Sequence, residues 1–306
     1  MKKQCSLIAI VASLTLISTG TAAAEPEWDS YSPTFPASWW LFAEQVASQY
    51  EDRSLDAGEC TDYTYIGVPG TSETNEARDP DSPAGRYVGA FGLELEKENV
   101  RPVWVPYPSR AVSTSYSESM GIGQATTIKL IETISEACPD TQYLLAGYSQ
   151  GADAITGVLE SIAAGNGPVA EDKVARAVLL ANPSRWGSAV DYHGTAKPDG
   201  QGLLATGPPE FGSMEVVEIC NEGDVWCDSA PTHRIVGPVA TNPSLSGAVG
   251  IAGDVIRSET LWEDLDEMVR FALNGSALHI DYENVSADGS LSMAQWALEY
   301  LRGGIS

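Results

Sequence analysis

Short apolar runs alternate with longer amphipathic stretches from residue 60 onward. Runs rich in β-branched and aromatic residues have the length and composition of buried strands, and they cover 63–68, 101–107, 142–148, 175–181 and 215–219. Stretches with apolar residues at helical spacing fall between them, at 83–99, 119–137 and 151–164. Repeated strand and helix predict a parallel sheet with helices on both faces. We therefore expect an α/β fold, a three-layer sandwich around a central, mostly parallel five-stranded sheet.

The regions outside this alternation are of two kinds. Residues 183–213, between the fourth and fifth predicted strands, are rich in Gly and Pro and predict an irregular excursion. Helical spacing recurs before and after the sheet, at 38–49, 244–257, 258–275 and 290–303. Because no repeat or low-complexity linker interrupts the chain, one domain is predicted over residues 25–306.

The first 24 residues have the layout of a secretory signal. Two lysines precede an apolar run from Leu7 to Ile17, and three alanines ending at Ala24 precede Glu25. The apolar run is too short to span a bilayer, and no later stretch is apolar enough to do so. We expect a signal peptide at 1–24 and a protein that is secreted, either extracellular or associated with the cell envelope.

Charge narrows the classes of partner. The formal net charge is −25 at pH 7. A surface this acidic repels phosphate backbones and anionic lipid headgroups, which argues against nucleic-acid binding and against electrostatic docking on membranes.

The cysteines indicate disulfides. Cleavage after residue 24 removes Cys5 and leaves Cys60, Cys138, Cys220 and Cys227. An even number in an exported chain predicts two disulfides, with three possible pairings. Cys220 and Cys227 are so close in sequence that we pair them with each other. A zinc site is disfavoured because no histidine lies near them at metal-ligand spacing.

The pentapeptide GYSQG, residues 147–151, carries the first candidate chemistry. Ser149 follows a predicted strand and precedes a predicted helix, the context in which G-x-S-x-G forms a sharp turn that exposes the serine hydroxyl. Gly147 and Gly151 are needed where the turn brings the backbone on either side together. A helix cap needs the serine but not both glycines, so the pattern favours a nucleophile.

A nucleophilic serine needs a base and an acid, and hydrolases on this type of sheet supply them in the order serine, acid, histidine. Asp224 lies in the segment CNEGDVWC, just after the fifth predicted strand, where a disulfide would hold its carboxylate in place. His193 precedes it and is expected in a solvated loop. The base is then His233 or His279, and the order of residues leaves both open.

These motifs together resemble the cutinase family of serine esterases, which also includes acetylxylan esterases. The resemblance rests on GYSQG, the cysteine loop around Asp224, His279 followed by Tyr282, and the segment GVPGTSETNE at 67–76. It covers roughly residues 60–228 and resumes around 279. The longer segment before His279 and the excursion at 183–213 look more like cutinase-like lipid hydrolases of actinobacterial cell envelopes.

The resemblance implies an α/β-hydrolase fold with Ser149 as nucleophile, Asp224 as acid and His279 as base. His233 is nearer the family's usual spacing from the second cysteine, but it lacks the aromatic residue that follows in HIDY. The implied disulfides are Cys60–Cys138 and Cys220–Cys227.

The resemblance also implies an oxyanion hole. Its donors are the backbone amide of Gln150 and Thr71, through its amide or hydroxyl, with Ser72 as a nearby alternative. Pro69 stands where the family has a basic residue before the glycine, so we expect a contact that steadies this loop to be absent.

The implied function is a secreted serine esterase or lipase that hydrolyses carboxylic esters of lipids or polyesters through an acyl-enzyme, without metal or organic cofactor. One alternative is an acetylxylan-esterase-type deacetylase of polysaccharides; another is a non-catalytic envelope-binding protein on a hydrolase scaffold. Residues 229–278 are expected either to cover the acyl site in part or to complete the core as two helices. The oligomeric state stays open.

Overall fold

The computed structural model describes residues 60–110, 116–187, 189–229 and 277–305. Its strands are β1 Tyr63–Val68, β2 Arg101–Trp104, β3 Gln142–Tyr148, β4 Val174–Leu180, β5 Asp191–Gly194 and β6 Val216–Cys220. Its helices of at least ten residues are α1 Arg86–Glu96, α2 Tyr116–Ala137, α3 Gln150–Ala163 and α4 Met293–Arg302, and a one-turn 3-10 helix at Glu171–Lys173 precedes β4. The predicted signal peptide, the predicted helices at 38–49, 244–257 and 258–275, the segment 230–276 and His233 lie outside the described residues.

The strands form one sheet in the order β2-β1-β3-β4-β6-β5, and every neighbouring pair is parallel. The predicted α/β class is confirmed, and each of the five predicted strands is present. The bounds of β1 and β3 are those predicted, and β4 and β6 are each shifted by one residue. The predicted number of strands was wrong, because the described residues form a sheet of six strands and not five.

Both faces of the sheet are apolar, as a sheet between two helical layers requires. Alternate residues of β3 point to opposite faces: Leu144 and Ala146 join the core that includes residues of α1 and α4, and Tyr143 and Leu145 join the core that includes residues of α2 and α3. The described residues therefore form the three-layer sandwich that the sequence predicts.

The sixth strand corrects the prediction for residues 183–213. Asp191–Gly194 pairs in parallel with β6 at the edge of the sheet. The strand has four residues, and its side chains are exposed or half-buried. It therefore has no apolar run to reveal it, and backbone hydrogen bonds to β6 define it instead.

His193 also corrects a prediction. It lies on β5 and not in a solvated loop, and its ring stacks on Trp296 of α4 with centroids 3.8 Å apart and planes 5° apart. Burial lowers the pKa of His193. It packs the edge strand against α4 and is not one of the residues around Ser149.

The two predicted disulfides, Cys60–Cys138 and Cys220–Cys227, are both present. The first ties the residues before β1 to the end of α2, and the second closes a short loop after β6. Among the described residues, no helix is long and apolar enough to cross a lipid bilayer.

Candidate active site

A sharp turn joins β3 to α3 and places Ser149 at its apex. Ser149 has φ 53° and ψ −119°, a conformation rare for a residue with a side chain. A Cβ on Gly147 would lie 2.4 Å from the carbonyl oxygen of Gly151, and a Cβ on Gly151 would lie 2.1 Å from the carbonyl oxygen of Val68. Both obstacles are backbone atoms. The expectation that neither glycine has room for a Cβ is confirmed. At Gly147 the obstacle is the other side of the turn, as predicted, whereas at Gly151 it is the end of β1.

A hydrogen-bonded chain connects Ser149, His279 and Asp224. Ser149 Oγ is 2.8 Å from His279 Nε2, and His279 Nδ1 is 2.9 Å from Asp224 Oδ2 and 3.0 Å from Oδ1. Because a carboxylate can only accept, Nδ1 carries the proton in this arrangement and Nε2 presents its lone pair to the serine hydroxyl. Such a pair can withdraw a proton from Ser149 and make its oxygen a nucleophile.

Asp224 is held in the loop after β6 by donors on both of its oxygens. It is fully buried, and Oδ1 accepts from the backbone amide of Trp226 at 3.1 Å while Oδ2 accepts from the hydroxyl of Tyr282 at 2.7 Å. The loop itself is anchored by Arg185, whose Nη1 donates to the carbonyl oxygen of Cys227 at 3.0 Å. The carboxylate is therefore fixed in position by groups in addition to the disulfide.

The segment that carries His279 is attached to α1 and β3 through backbone carbonyls. The hydroxyl of Tyr148 donates to the carbonyl of His279 at 2.6 Å, and Tyr87 and Arg86 donate to the carbonyl of Ile280 at 2.8 and 2.9 Å. The Tyr148 ring also stacks on the imidazole, with centroids 5.2 Å apart. Burial raises the pKa of Tyr148, so its hydroxyl remains a donor.

No sequence motif pointed to the hydrogen bonds that Tyr87 and Arg86 make here. Their partner Ile280 lies 193 and 194 residues away along the chain. No local motif reports contacts at such a separation.

The loop after β1 is steadied by a carboxylate. Glu73 Oε2 accepts from the amide of Gly70 at 2.8 Å, and Oε1 accepts from the amide of Arg86 at 3.0 Å. The hydroxyl of Tyr107 donates to the carbonyl of Pro69 at 2.5 Å. The loop with Pro69 in place of a basic residue is therefore held by a glutamate and a buried tyrosine.

The proposed oxyanion donors differ in their surroundings. The amide of Ser72 donates to the carbonyl of Ser109 at 2.6 Å, so it is already engaged, whereas Thr71 lines the cavity above Ser149. Gln150 is the first residue of α3, where amides have no acceptor within the helix. This arrangement favours Thr71 over Ser72 and agrees with a role for the Gln150 amide.

The cavity at the end of β3 has a volume of about 310 Å³. Its walls are mostly aromatic, aliphatic or hydroxyl-bearing, and its lining residues are Thr71, Glu73, Arg86, Tyr116, Tyr148, Ser149, Trp226, His279 and Ile280. Ile280 is 51% exposed at its mouth. In the part of the chain that is described, no group of three or more His, Cys, Asp or Glu side chains is placed to hold a metal ion.

A buried polar network lies behind the start of α3. Asp153 accepts from the hydroxyl of Tyr116 at 3.0 Å and from that of Ser184 at 2.5 Å. Glu218 of β6 accepts from the side-chain amide of Asn182 at 2.8 Å. Burial raises the pKa of Asp153, and it raises the pKa of Glu218 to about 8.

Comparison with known proteins gives agreeing results. The sequence model of the family described as Cutinase matches residues 59–236. The "Probable carboxylesterase Culp3" of Mycobacterium tuberculosis is 30% identical over 176 residues, which are 55% of this chain and 62% of that protein. The chain thus matches less than two thirds of that relative's length. The "Phospholipase Culp4" of the same species is 35% identical over 184 residues, 57% of this chain and 70% of that protein.

Among solved structures, lysin B from Mycobacteriophage D29 superposes with a TM-score of 0.50. The superposition covers 79% of this chain and 100% of the phage protein, at 21% sequence identity. At this level of identity the likeness concerns the fold alone.

Proposed function

Because the chain belongs to the cutinase family, we propose that it is an exported serine esterase that hydrolyses carboxylic esters of lipids or polyesters. The observation that carries the proposal is the chain of hydrogen bonds from Ser149 Oγ through the imidazole of His279 to the buried carboxylate of Asp224. A serine activated in this way attacks carbonyl carbon.

In the first half of the reaction, His279 Nε2 takes the proton from Ser149 Oγ as that oxygen bonds to the ester carbonyl carbon. Asp224 stabilises the imidazolium that forms. Nε2 then gives the proton to the leaving alkoxide as the carbon–oxygen bond breaks, and the acyl group stays on Ser149. The alcohol is released.

In the second half, water replaces the alcohol. Nε2 removes a proton from the water as its oxygen bonds to the acyl carbon, and the proton returns to Ser149 Oγ when the carboxylic acid leaves. In both halves the amides of Gln150 and Thr71 would stabilise the negative oxygen of the tetrahedral intermediate. This chemistry uses side chains and backbone amides of the protein alone.

The cavity supports a substrate larger than an acetyl ester. Its volume is about 310 Å³, and Trp226 and Ile280 give it apolar surface beside the imidazole of His279. Apolar walls with a few convergent polar groups are typical of sites for largely apolar ligands. Similarity to proteins named carboxylesterase and phospholipase agrees with this choice.

Export is supported by the disulfides. Cys60–Cys138 and Cys220–Cys227 are the kind of crosslink that forms and persists in oxidising compartments. We propose that residues 1–24 are a signal peptide, that 25–306 form one hydrolase domain, and that the protein acts outside the cell or at the cell envelope.

The test is hydrolysis of p-nitrophenyl esters from acetyl to palmitoyl by the protein lacking residues 1–24. Ser149→Ala and His279→Ala should each lower kcat by at least about 10³-fold, and His233→Ala should leave it within about two-fold. The rate should be highest for an acyl chain longer than acetyl. A fluorophosphonate probe should label the wild type and not Ser149→Ala.

Three results would contradict the proposal. Activity that survives Ser149→Ala would show that Ser149 is not the nucleophile. Hydrolysis of acetyl esters alone would indicate a deacetylase. Absence of both turnover and labelling in the wild type indicates a binding protein.

A further inference from the structure

The side chain of Tyr282 is fully buried beside Asp224. Its hydroxyl is 2.7 Å from Asp224 Oδ2, and it accepts a hydrogen bond from the amide of Asn221 at 3.2 Å. It also lies 3.3 Å from the sulfur of Cys227, which is bonded in the disulfide. Tyr282 therefore contacts the carboxylate, the end of β6 and the loop that carries Asp224.

The direction of the hydrogen bond follows from its partners. The hydroxyl of Tyr282 has one proton, and the amide of Asn221 occupies one of its lone pairs. A carboxylate oxygen is a much better acceptor than a disulfide sulfur, so the proton points to Asp224. Burial and the nearby charge of Asp224 raise the pKa of Tyr282, which keeps the hydroxyl protonated.

The ring is held on its other sides as well. The backbone amide of Tyr282 donates to the hydroxyl of Tyr87 at 3.0 Å, and the two rings make an edge contact with centroids 5.9 Å apart. Tyr148 makes a second edge contact at 6.4 Å. The hydroxyl is thus positioned by the same residues that position the imidazole of His279.

We infer that Tyr282 is a positioning residue that orients the carboxylate of Asp224 toward His279 and stabilises it as an anion. This inference rests on the proposed function. Among the described residues, the donors to Oδ2 are the hydroxyl of Tyr282 and the imidazole, so without Tyr282 the imidazole alone remains, while Oδ1 keeps the amide of Trp226. The carboxylate could then rotate, and its buried charge would be less well compensated.

The consequence for the reaction differs from that of a structural defect. A carboxylate that rotates holds the imidazole less precisely, so Nε2 is aligned with Ser149 Oγ less often, and Tyr282→Phe should lower kcat by about 10- to 100-fold with KM within about two-fold. In the free enzyme, the negative charge of Asp224 is no longer partly offset by the Tyr282 hydroxyl. More of this charge then acts on His279 Nδ1, which favours the protonated imidazole. The acidic limb of the kcat/KM profile should therefore move up by about half a pH unit or more.

The experiment measures kcat and KM for p-nitrophenyl butyrate between pH 5 and 10, together with Tm, for wild type, Tyr282→Phe and Tyr192→Phe. Tyr192 is a matched control because its hydroxyl donates to the carbonyls of Ala196 at 2.8 Å and Cys220 at 3.1 Å, near the same disulfide but away from Asp224. Tyr192→Phe should lower Tm, with kcat within about two-fold of wild type. Its pH profile should be that of the wild type.

A second variant keeps the test decisive if Tyr282→Phe folds poorly. 3-Fluorotyrosine at position 282 preserves the ring and makes the hydroxyl a stronger donor. It should move the acidic limb to lower pH, opposite to the effect of Tyr282→Phe.

The failures of this inference and of the proposed function are distinguishable. Wild-type protein whose hydrolysis does not depend on Ser149 would refute the proposed function. If hydrolysis by the wild type depends on Ser149 but the acidic limb of Tyr282→Phe stays in place or moves to lower pH, this inference alone is overturned. The inference is also overturned if the acidic limb of the 3-fluorotyrosine variant stays in place or moves to higher pH.

Discussion

Adding one methyl group at Gly151 should disable the site without touching a catalytic side chain. The Cβ of Gly151→Ala would lie 2.1 Å from the carbonyl oxygen of Val68 and 2.6 Å from that of Pro69, whereas ordinary contacts begin at 3.4 Å. Both obstacles are backbone atoms of the end of β1 and the loop that follows it. The start of α3 and this loop must therefore separate by about an ångström.

The size of the effect follows from this displacement. Overpacking a tight site lowers the free energy of unfolding by about 1–3 kcal/mol. Because two backbone atoms obstruct the Cβ here, we expect a loss of about 3 kcal/mol. For a domain of this size, that lowers Tm by about 6–12 °C. The separation also moves Ser149 and Thr71 apart, and a misplacement of about 1 Å can cost about 100-fold in rate. We expect kcat/KM to fall by about that factor.

The assay compares p-nitrophenyl ester hydrolysis and thermal unfolding of wild type, Gly151→Ala and Gly207→Ala. Gly207 is a matched control, because a Cβ there would meet nothing within 4 Å. It should behave as wild type in both measurements. The steric argument for GYSQG is refuted if Gly151→Ala keeps more than about a third of the wild-type kcat/KM and unfolds at the wild-type Tm.

Three further predictions concern other parts of the molecule. Replacing Cys60 and Cys138 by Ala opens a loop with a sequence separation of 78, which should cost about 4 kcal/mol in urea unfolding; a loss below about 1 kcal/mol would contradict this. The pKa of Glu218 is raised by burial to about 8, so the folded state binds this proton more tightly than the unfolded chain does. Its contribution to stability is complete below about pH 4.5 and is lost as pH rises to 8; Glu218→Gln should reduce the fall in Tm from pH 5 to pH 8, and an unchanged fall would contradict the prediction. Glu73→Gln retains one of the two carboxylate oxygens that accept the amides of Gly70 and Arg86, so kcat should fall by about 10-fold. A kcat within two-fold of wild type would count against Glu73 as the anchor of this loop.

The strands that sequence analysis found are those whose signal is local. β1 and β3 lie between two helical layers, so nearly every residue in them is apolar and their limits are easy to read. β5 was not predicted, because an exposed edge strand of four residues needs no apolar side chains. Its existence depends on β6, which follows it in the sequence and supplies its hydrogen-bond partners.

The candidate site likewise has features with a local signal in the sequence and features without one. The turn at Ser149 could be predicted because Gly147 and Gly151 are within two residues of it. The choice of His279 over His233 rested on resemblance to a family, and the catalytic roles stay predictions that the substitutions test. Nothing in the sequence indicated that Tyr87 and Arg86 hold the segment of His279.

The sequence by itself determined the α/β class, the buried strands and the sharp turn at Ser149. The strands are buried on both faces, so their apolar runs are visible locally, and the turn shows in the sequence as two glycines within two residues of the serine. Only the tertiary structure decided the sixth strand, the donors that fix Asp224 and the anchoring of His279. Hydrogen bonds act over about 3 Å, and packing brings those partners together from up to 194 residues apart.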